Sequence, residues 1–186
     1  MRNITTIETH RLQLAPYSPE HLLALIEGDQ PFRQCFGLPA ADGLRRSILS
    51  DEVSPTWLAL LRKSLSADPW LHGFAVVDRE SQSVVGSVGF KGPPDEDGVV
   101  EIAYGIVRTF QVRGYATEAL AAGVAFAFGS GDVRRVRAHT LPANHASARV
   151  LEKRGFACIG EVEDPEDGLV RRWELLRDVP PSPPAL

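Results

Sequence analysis

"YGIVRTFQVRGYATEALAAGVAFAF" (residues 104–128) joins a β-rich run to an almost wholly apolar helix through a turn that contains arginine and glycine. Backbone N–H groups at a helix start lack intrahelical partners and carry partial positive charge, so a turn that exposes them can bind an anion. Gly114 lets the backbone approach a ligand closely, Ala116 keeps its position small, and Arg113 adds charge. The turn therefore predicts an anion site, although a glycine that merely bends the connection would give the same pattern.

The composition is that of a folded, soluble protein: of 186 residues, 44% are hydrophobic and 24% are charged. The length favours one domain, which we place at residues 1–177, followed by a proline-rich tail at residues 178–186. The N-terminus lacks the apolar core of a signal peptide, and the apolar run at residues 119–128 is far shorter than the ~20 residues that cross a bilayer. We therefore expect a cytoplasmic protein with no membrane partner.

The charge pattern argues against a nucleic-acid partner, because the formal net charge is -4. The basic cluster RRVR at residues 134–137 is expected to be solvated surface on a strand, with a cofactor phosphate as the alternative contact. Cys35 and Cys158 lack the spacing of metal ligands or of a disulfide framework. We expect both to be reduced packing residues, and we expect no metal site.

Periodicity and helix-boundary residues predict a mixed-sheet α/β (α+β) domain. Ser18 and Pro19 begin an early helix, and Ser54 and Pro55 repeat this start signature; these early helices are expected to form a substrate lid. Residues 30–52 are rich in glycine and proline and are harder to assign. The other elements are expected as a strand at 9–16, a hairpin at 73–90, a strand at 99–107, a helix at 114–128, a strand at 133–141, a helix at 144–155, and strands at 156–164 and 169–176.

Two familiar phosphate-binding loops are absent from the sequence, which has no G-x-x-x-x-G-K-[ST] and no G-x-G-x-x-G between a strand and a helix. The turn Gln111-x-x-Gly114-x-Ala116 is instead followed by LPANHASARVLEKRGF, in the order strand, turn, helix, strand, helix, strand. This arrangement resembles the acyl-CoA core of the GNAT acetyltransferase superfamily. EIAYGIVRTFQVRGYATEAL followed by NHASARVLEKRGF most resembles the branch that includes the bacterial ribosomal-protein N-terminal acetyltransferases. The resemblance covers residues 84–176 and implies a single-domain fold, with a mostly antiparallel twisted sheet, flanking helices and splayed central strands.

The resemblance implies that acetyl-CoA is the cofactor and that the turn and the helix start bind its pyrophosphate. The residues carried over are Gln111, Val112, Arg113, Gly114, Tyr115, Ala116 and Thr117. The pantetheine arm would lie between the parted strands and pair with the backbone of Ile106, Val107 and Arg108. Asn144 lies where the family has a side-chain amide that hydrogen-bonds this arm, and Ser147 follows on the same helix face. A helix cap alone would equally explain Asn144.

The strand at residues 99–107 has one bare face and one bulky face. Alternation places Glu101 beside Ala103 and Gly105 on the bare face, and places Tyr104 on the bulky face, which we expect to belong to the core. The bare face is expected to face a ligand. The resemblance implies that an acid on this strand acts as general base, directly or through water, and Glu101 is the candidate. A solvated strand end is the alternative.

Direct transfer of an acyl group to an amine requires the neutral amine. At pH 7, deprotonation takes about 4.6 kcal/mol for a side-chain amine with a pKa near 10.4, and about 1.4 kcal/mol for an α-amine with a pKa near 8. A single, weakly placed base therefore favours an α-amine or a similarly acidic amine as the acceptor.

The sequence offers no obvious proton donor for the departing thiolate. Where many members of the family have a tyrosine on the second helix, this chain has Leu151. Ser147 is assigned to binding first and to acid catalysis second, because a serine hydroxyl is a poor acid and a coenzyme thiolate can leave unassisted. His139 and His145 could titrate near neutrality, but neither has a partner that the sequence reveals.

These features favour an N-acetyltransferase that moves acetyl from acetyl-CoA to a primary amine of a peptide, a protein or a small molecule. Two alternatives stay open: a module that keeps acyl-CoA as a structural or sensory ligand, and an antibiotic-modifying member of the fold with an acidic loop at residues 95–97. Residues 30–70 and the loop at residues 91–98 are expected to select the acceptor. Related proteins are commonly dimers, so a homodimer is a possible assembly.

Overall fold

A computed structural model describes residues 6–49, 55–165 and 167–177 of the chain. Within these residues, eight strands form one sheet in the order β1-β2-β3-β4-β5-β6-β8-β7. The strands are β1 (Ile7–Glu8), β2 (Leu12–Pro16), β3 (Phe74–Asp78), β4 (Ser83–Phe90), β5 (Val99–Ile106), β6 (Arg135–Thr140), β7 (Ala157–Asp164) and β8 (Gly168–Leu176). Neighbouring strands pair antiparallel, except that β5 and β6 pair in parallel. The predicted mixed, mostly antiparallel sheet is confirmed.

Seven α-helices flank the sheet in the described part of the chain. They are α1 (Pro19–Glu27), α2 (Asp29–Phe36), α3 (Leu44–Ile48), α4 (Pro55–Lys63), α5 (Pro69–His72), α6 (Tyr115–Gly129) and α7 (His145–Lys153). The first five precede β3, whereas α6 forms the crossover between β5 and β6 that a parallel pair requires. The helix α7 then connects β6 to β7.

The helix-boundary residues predicted the start of α1 but not the two short helices that follow it. At the start of α1, Ser18 Oγ accepts the N–H of His21, and His21 Nδ1 accepts the N–H of Ser18, so the predicted helix start is confirmed. The helices α2 and α3 occupy most of the segment that was harder to assign, and with 8 and 5 residues they are too short to show a helical period. The start predicted at Ser54 and the tail at residues 178–186 lie outside the described residues.

The strands β5 and β6 part after a short parallel pairing. They pair at three positions, which match Val99, Val100 and Glu101 with Arg135, Val136 and Arg137. Beyond Glu101, the described part of β5 continues to Ile106 paired with β4, and β6 continues to Thr140 paired with β8. The predicted splay of the central strands is therefore confirmed, and it opens a gap between the end of β5 and the end of β6.

The helix α6 packs very closely on the sheet beside this gap. A Cβ atom at Gly123 would lie 2.6 Å from Val88 Cγ1 and 3.0 Å from Ile102 Cδ1. Val88 is fully buried, and Leu120 of the same helix is fully buried as well. Because a glycine lets the helix approach β4 and β5 this closely, the start of α6 is held at a fixed position relative to the gap.

The expectation that the two cysteines are packing residues is wrong. Cys35 and Cys158 are exposed and are not packing residues, because Cys35 lies on the outer side of α2 and Cys158 lies on the edge strand β7. The basic cluster is only partly solvated, since Arg135 Nη1 and Arg137 Nη2 each lie 3.0 Å from a carboxylate oxygen of Glu174 on β8. Among the described residues, no helix combines the length and the apolar character of a membrane span.

Gly123→Ala should destabilise the fold by about 1–3 kcal/mol, because the added methyl group overlaps a fully buried valine. Urea-induced unfolding measures the change. The matched control is Gly129→Ala at the end of the same helix, where an added Cβ meets nothing within 4 Å. The control should be neutral or stabilised by up to about 1 kcal/mol. Equal midpoints for the two variants would contradict the close approach of α6 to the sheet.

Candidate active site

A 3-10 helix (Arg108–Phe110) and a tight turn join β5 to α6. The turn contains two residues with positive φ, Val112 at 62° and Gly114 at 81°. A left-handed conformation is rare for a β-branched residue, and the side chain of Val112 is fully exposed. Such strained backbone is kept where the surrounding structure enforces it, often at functional sites.

The backbone N–H groups of residues 112–117 find no hydrogen-bond acceptor within the described parts of the chain. Those of residues 115–117 belong to the first turn of α6, where intrahelical partners are absent by geometry, and the helix dipole adds partial positive charge. A Cβ at Gly114 would lie 3.2 Å from Arg11 Nη2, so glycine keeps the turn compact. The residues present therefore fit an anionic group such as a diphosphate.

The side chains of the turn have separate roles. Tyr115 is buried and its O–H donates to a carboxylate of β3 at 2.9 Å, so this residue offers the turn only its backbone. Gln111 Nε2 donates to Ile106 O at 2.8 Å and closes the turn onto the end of β5. The guanidinium of Arg113 lies over the ring of Phe110, 4.9 Å from its centroid.

An open groove of about 740 Å³ runs from the turn along α6. Gly114 and Thr117 line it at the start of the helix, and Lys153 and Arg154 line it at the end of α7. The groove therefore joins the turn to two further cationic side chains.

The edge of β5 that faces the gap is made of the backbone groups of alternate residues. Val107 N–H donates to Val85 O on β4 at 2.9 Å, and the antiparallel pattern turns Gly105 toward β4 as well. The backbone groups of Tyr104 and Ile106 therefore face the gap. Of the residues predicted to pair with a ligand arm, Ile106 lies on the gap side, whereas Val107 directs its N–H to β4.

Tyr104 contacts the start of α7 across the gap. Its O–H donates to Ser147 O at 3.3 Å, and Ser147 Oγ donates to Tyr104 Oη at 3.1 Å. Asn144 caps the same helix, since its Oδ1 accepts the N–H of Ser147 at 3.1 Å. Burial raises the pKa of Tyr104, although the hydrogen bond with Ser147 acts in the opposite direction. Two hydroxyl groups thus line the α7 side of the gap.

Tyr104 was not among the residues that the sequence indicated. Alternation assigned it to the core face, yet it is only half-buried, because β6 no longer pairs beside it and its ring can reach Ser147. Leu151, at the position where the family has a tyrosine, is fully buried. The available signal was a single hydroxyl on an otherwise aliphatic face of β5.

Glu101 belongs to a charged cluster on the open face of the sheet. Its Oε1 lies 3.1 Å from Lys91 Nζ and 3.2 Å from His139 Nδ1. Lys91 Nζ also lies 4.0 Å from Asp164 Oδ2. Ala103, the next residue of β5 on this face, is exposed, so the carboxylate adjoins open space. The sequence could not reveal that His139 lies beside Glu101, because their proximity depends on the parallel register of β5 and β6.

The first turn of α6 is anchored to the N-terminal strands by Glu118. Its Oε1 accepts hydrogen bonds from Thr9 Oγ1 at 2.6 Å and from Arg11 N–H at 2.7 Å, and its Oε2 accepts one from Arg11 Nε at 2.8 Å. Burial alone would raise the pKa of Glu118, but the hydrogen bonds from Thr9 and Arg11 outweigh burial and lower the pKa below its ordinary value.

The site thus combines two strands that part after three paired positions, a helix start with unpaired N–H groups, and an acid on the open face of β5. A profile of the Acetyltransferase (GNAT) domain matches residues 11–157. The chain belongs to the GNAT acetyltransferase family, which confirms the resemblance found in its sequence motifs.

Three curated relatives are similar to the chain. YjdG of Bacillus subtilis (strain 168), an uncharacterized N-acetyltransferase, is 33% identical over 89 residues, which are 48% of this chain and 51% of the relative. The uncharacterized N-acetyltransferase p20 of Bacillus licheniformis is 29% identical over 110 residues, or 59% of this chain and 57% of the relative. The chain thus spans little more than half the length of these two. YoaA of Bacillus subtilis (strain 168), an uncharacterized N-acetyltransferase, is 25% identical over 177 residues, which are 94% of this chain and 90% of the relative.

Solved structures share the fold over nearly the whole chain. The ribosomal-protein-S5-alanine acetyltransferase of Vibrio fischeri has a TM-score of 0.67 at 15% identity, covering 94% of this chain and 98% of that one. RimL, a ribosomal L7/L12 α-N-protein acetyltransferase solved with coenzyme A, has a TM-score of 0.62 at 17% identity, covering 94% of this chain and 99% of that one. At these identities the similarity is one of fold.

Glu118→Gln should be less stable than the wild type at neutral pH, and the difference should disappear in acid. Because the folded-state pKa lies below the unfolded value of about 4.3, the stabilisation is present above that pH and is lost as the pH falls through the folded pKa. Denaturant unfolding from about pH 7 to about pH 3 measures this. Glu163→Gln on β7 serves as control. A stability difference that does not change with pH would contradict the role of the ionised carboxylate.

Proposed function

We propose that this protein transfers an acetyl group from acetyl-CoA to a primary amine. The observation that carries the proposal is the continuity of the site: the unsatisfied N–H groups of residues 112–117 lie at the mouth of the gap that Glu101 adjoins. The family membership and a structural neighbour solved with coenzyme A support the choice of donor. When bound, the donor supplies an activated thioester; the chain supplies binding, orientation and proton transfer.

The turn would hold the diphosphate of the donor. Gly114 admits a close approach of the backbone, and the N–H groups up to Thr117 supply fixed donors with the dipole of α6 behind them. Beyond the turn, the backbone of Tyr104 and Ile106 borders the gap and can pair with an extended amide-bearing arm, as an added strand would. Asn144, although it is a helix cap, lies at the opposite border of the same gap.

Glu101 is the residue we propose as general base. Its carboxylate lies on the open face, where an acceptor amine can approach without crossing α6 or α7. An amine that approaches this carboxylate would share it with Lys91, whose Nζ lies 3.1 Å from Glu101 Oε1. A single base suits an α-amine, which needs about 1.4 kcal/mol to be deprotonated at pH 7, better than a side-chain amine, which needs about 4.6 kcal/mol.

Ser147 and Tyr104 are the hydroxyl groups we propose for the departing sulfur. They share a hydrogen bond at the α7 side of the gap, on the face of β5 opposite to Glu101. Base and hydroxyl donors on opposite faces would let the amine enter on one side while the thiol leaves on the other. Stabilisation by hydrogen bonds is the expected contribution, because neither hydroxyl is a strong acid.

A second function, acyl-CoA binding without turnover, is favoured by one observation. Leu151 is fully buried at the position where the family has a tyrosine, so α7 offers no phenol to the thiolate. Thiol release from acetyl-CoA with a panel of amines separates the two functions. An enzyme releases thiol only when an acceptor is present, whereas a binding module releases none but is still stabilised thermally by the ligand.

The antibiotic-modifying alternative loses its main support. Asp95 Oδ1 accepts the N–H groups of Asp97 and Val99 at 3.0 and 2.8 Å, so this acid serves to fold its own loop. All three acids of the loop are exposed, so they do not wall a cleft.

Glu101→Gln should lower kcat by about 10²- to 10⁴-fold and leave the Kd of coenzyme A unchanged, because it removes the proposed base and no donor contact. Steady-state kinetics with α-amine peptides and calorimetry measure the two quantities. The matched control is Glu161→Gln, which alters an exposed carboxylate on the edge strand β7 that lies 3.4 Å from Arg171 Nε. Retention of wild-type kcat across the pH range by Glu101→Gln would exclude Glu101 as the base.

Gly114→Ala should weaken coenzyme A binding by about tenfold or more, because the added Cβ is strained at positive φ and presses against Arg11. Gly131→Ala is the matched control, since Gly131 has a similar φ of 90° after the other end of α6 and an added Cβ meets nothing within 4 Å. Both variants should lose stability because of the positive φ, but only Gly114→Ala should lose affinity for coenzyme A. Equal affinities of Gly114→Ala and Gly131→Ala for coenzyme A would show that the turn is not part of the binding site.

A further inference from the structure

We propose that Arg11 is a positioning residue for the anion-binding turn, and that through it the N-terminal strands and the donor ligand stabilise each other. The inference rests on the proposed function, because it assumes that the turn binds the diphosphate of coenzyme A. Neither the turn motif nor the family match assigns a role to this residue.

Arg11 lies in the loop between β1 and β2 and contacts the turn at several points. Its Nη1 donates to Arg113 O at 2.6 Å, and its Nη2 lies 2.8 Å from Glu118 Oε2 in the first turn of α6. Its guanidinium also lies over the ring of Tyr115, 4.7 Å from the centroid. One side chain thus holds the residue before Gly114 and two residues after it.

The hydrogen bond to Arg113 O sets the direction of the next peptide N–H. The bond between Arg113 and Gly114 is trans, as are all peptide bonds in the described residues. In a trans peptide the C=O and the N–H point in opposite directions. Because Arg11 holds the carbonyl of Arg113, the N–H of Gly114 must point away from Arg11. The same contact prevents this carbonyl from turning toward a bound anion, which it would repel.

Arg11 is itself held firmly. Its backbone N–H donates to Glu118 Oε1 at 2.7 Å, and its backbone O accepts from Arg79 N–H at 3.0 Å. The hydroxyl of Thr9 donates to the same carboxylate at 2.6 Å. The guanidinium is therefore preorganised, and its charge is largely matched by Glu118. Its contribution to anion binding is geometric: it fixes the direction of the donors.

Lysine cannot replace this arrangement. A guanidinium presents several donors in a planar fork and can stack on an aromatic ring, whereas an ammonium is a single point of charge. An ammonium group at position 11 could keep a charge beside Glu118, but it could not also hold Arg113 O and cover the ring of Tyr115. Arg11→Lys therefore keeps the positive charge at position 11 and removes the contacts with Arg113 O and the ring of Tyr115.

The coupling between Arg11 and the bound ligand must be reciprocal. If docking of Arg11 improves the affinity of the turn for its ligand, the bound ligand must improve the docking of Arg11 by the same factor. Coenzyme A should therefore slow the exchange of backbone amides in β1 and β2, although these strands lie outside the gap.

The test compares coenzyme A binding by Arg11→Lys, Arg11→Ala and a control, Arg79→Ala. Arg79 Nη1 donates to Thr9 O at 3.1 Å and its Nε lies 3.8 Å from Glu8 Oε2, so it supports the same strands without a described contact to the turn. Both Arg11 variants should raise the Kd of coenzyme A and the KM of acetyl-CoA by about 5- to 150-fold. The KM of the amine should not change, and Arg79→Ala should bind coenzyme A as the wild type does.

Hydrogen exchange provides a second test, and its measurement on the wild type does not depend on the folding of any variant. Coenzyme A should slow exchange at residues 7–14 in the wild type and in Arg79→Ala, and this effect should be lost in Arg11→Lys. Three results would overturn the inference and leave the proposed function intact. The Arg11 variants could bind coenzyme A with wild-type affinity, or Arg79→Ala could lose as much affinity as they do. The third such result is amide exchange in β1 and β2 that is the same with and without coenzyme A. A wild-type protein that does not bind coenzyme A would overturn both.

Discussion

The backbone donors at the start of α6 constrain the rest of the site. The N–H groups of residues 112–117 have no acceptor in the described residues, and a helix start with such donors attracts negative charge. Close packing of α6 on β4 and β5 at Gly123, together with the hydrogen bonds of Glu118, fixes where these donors lie. Because β5 and β6 pair at only three positions, the same donors stand at the mouth of an open gap.

Two groups of polar side chains border the gap, one on each face of the sheet. On the open face Glu101 lies within a cluster with Lys91 and His139, and on the helical face Tyr104 and Ser147 share a hydrogen bond. Only the second group depends on the parting, because β6 does not pair beside Tyr104 and the ring can reach Ser147 on α7. The contact of Glu101 with His139 depends instead on the short stretch where β5 and β6 do pair.

Local features of this fold could be predicted from the sequence, and contacts that depend on strand register could not. The turn around Gly114, the capped start of α1 and the alternation in β5 follow from neighbouring residues, and all are found. The partner of His139 and the contact of Tyr104 with Ser147 depend on how β5, β6 and α7 lie relative to one another. The direction of the Val107 N–H likewise depends on which strand β5 pairs with, so alternation of side chains did not indicate it.

A crystal structure of the wild-type protein with coenzyme A tests the central claim most directly. The account predicts that diphosphate oxygens lie about 3 Å from backbone nitrogens within residues 112–117, with the sulfur end in the gap near Tyr104. Coenzyme A that is ordered at another surface, with these N–H groups bound to solvent instead, would contradict it.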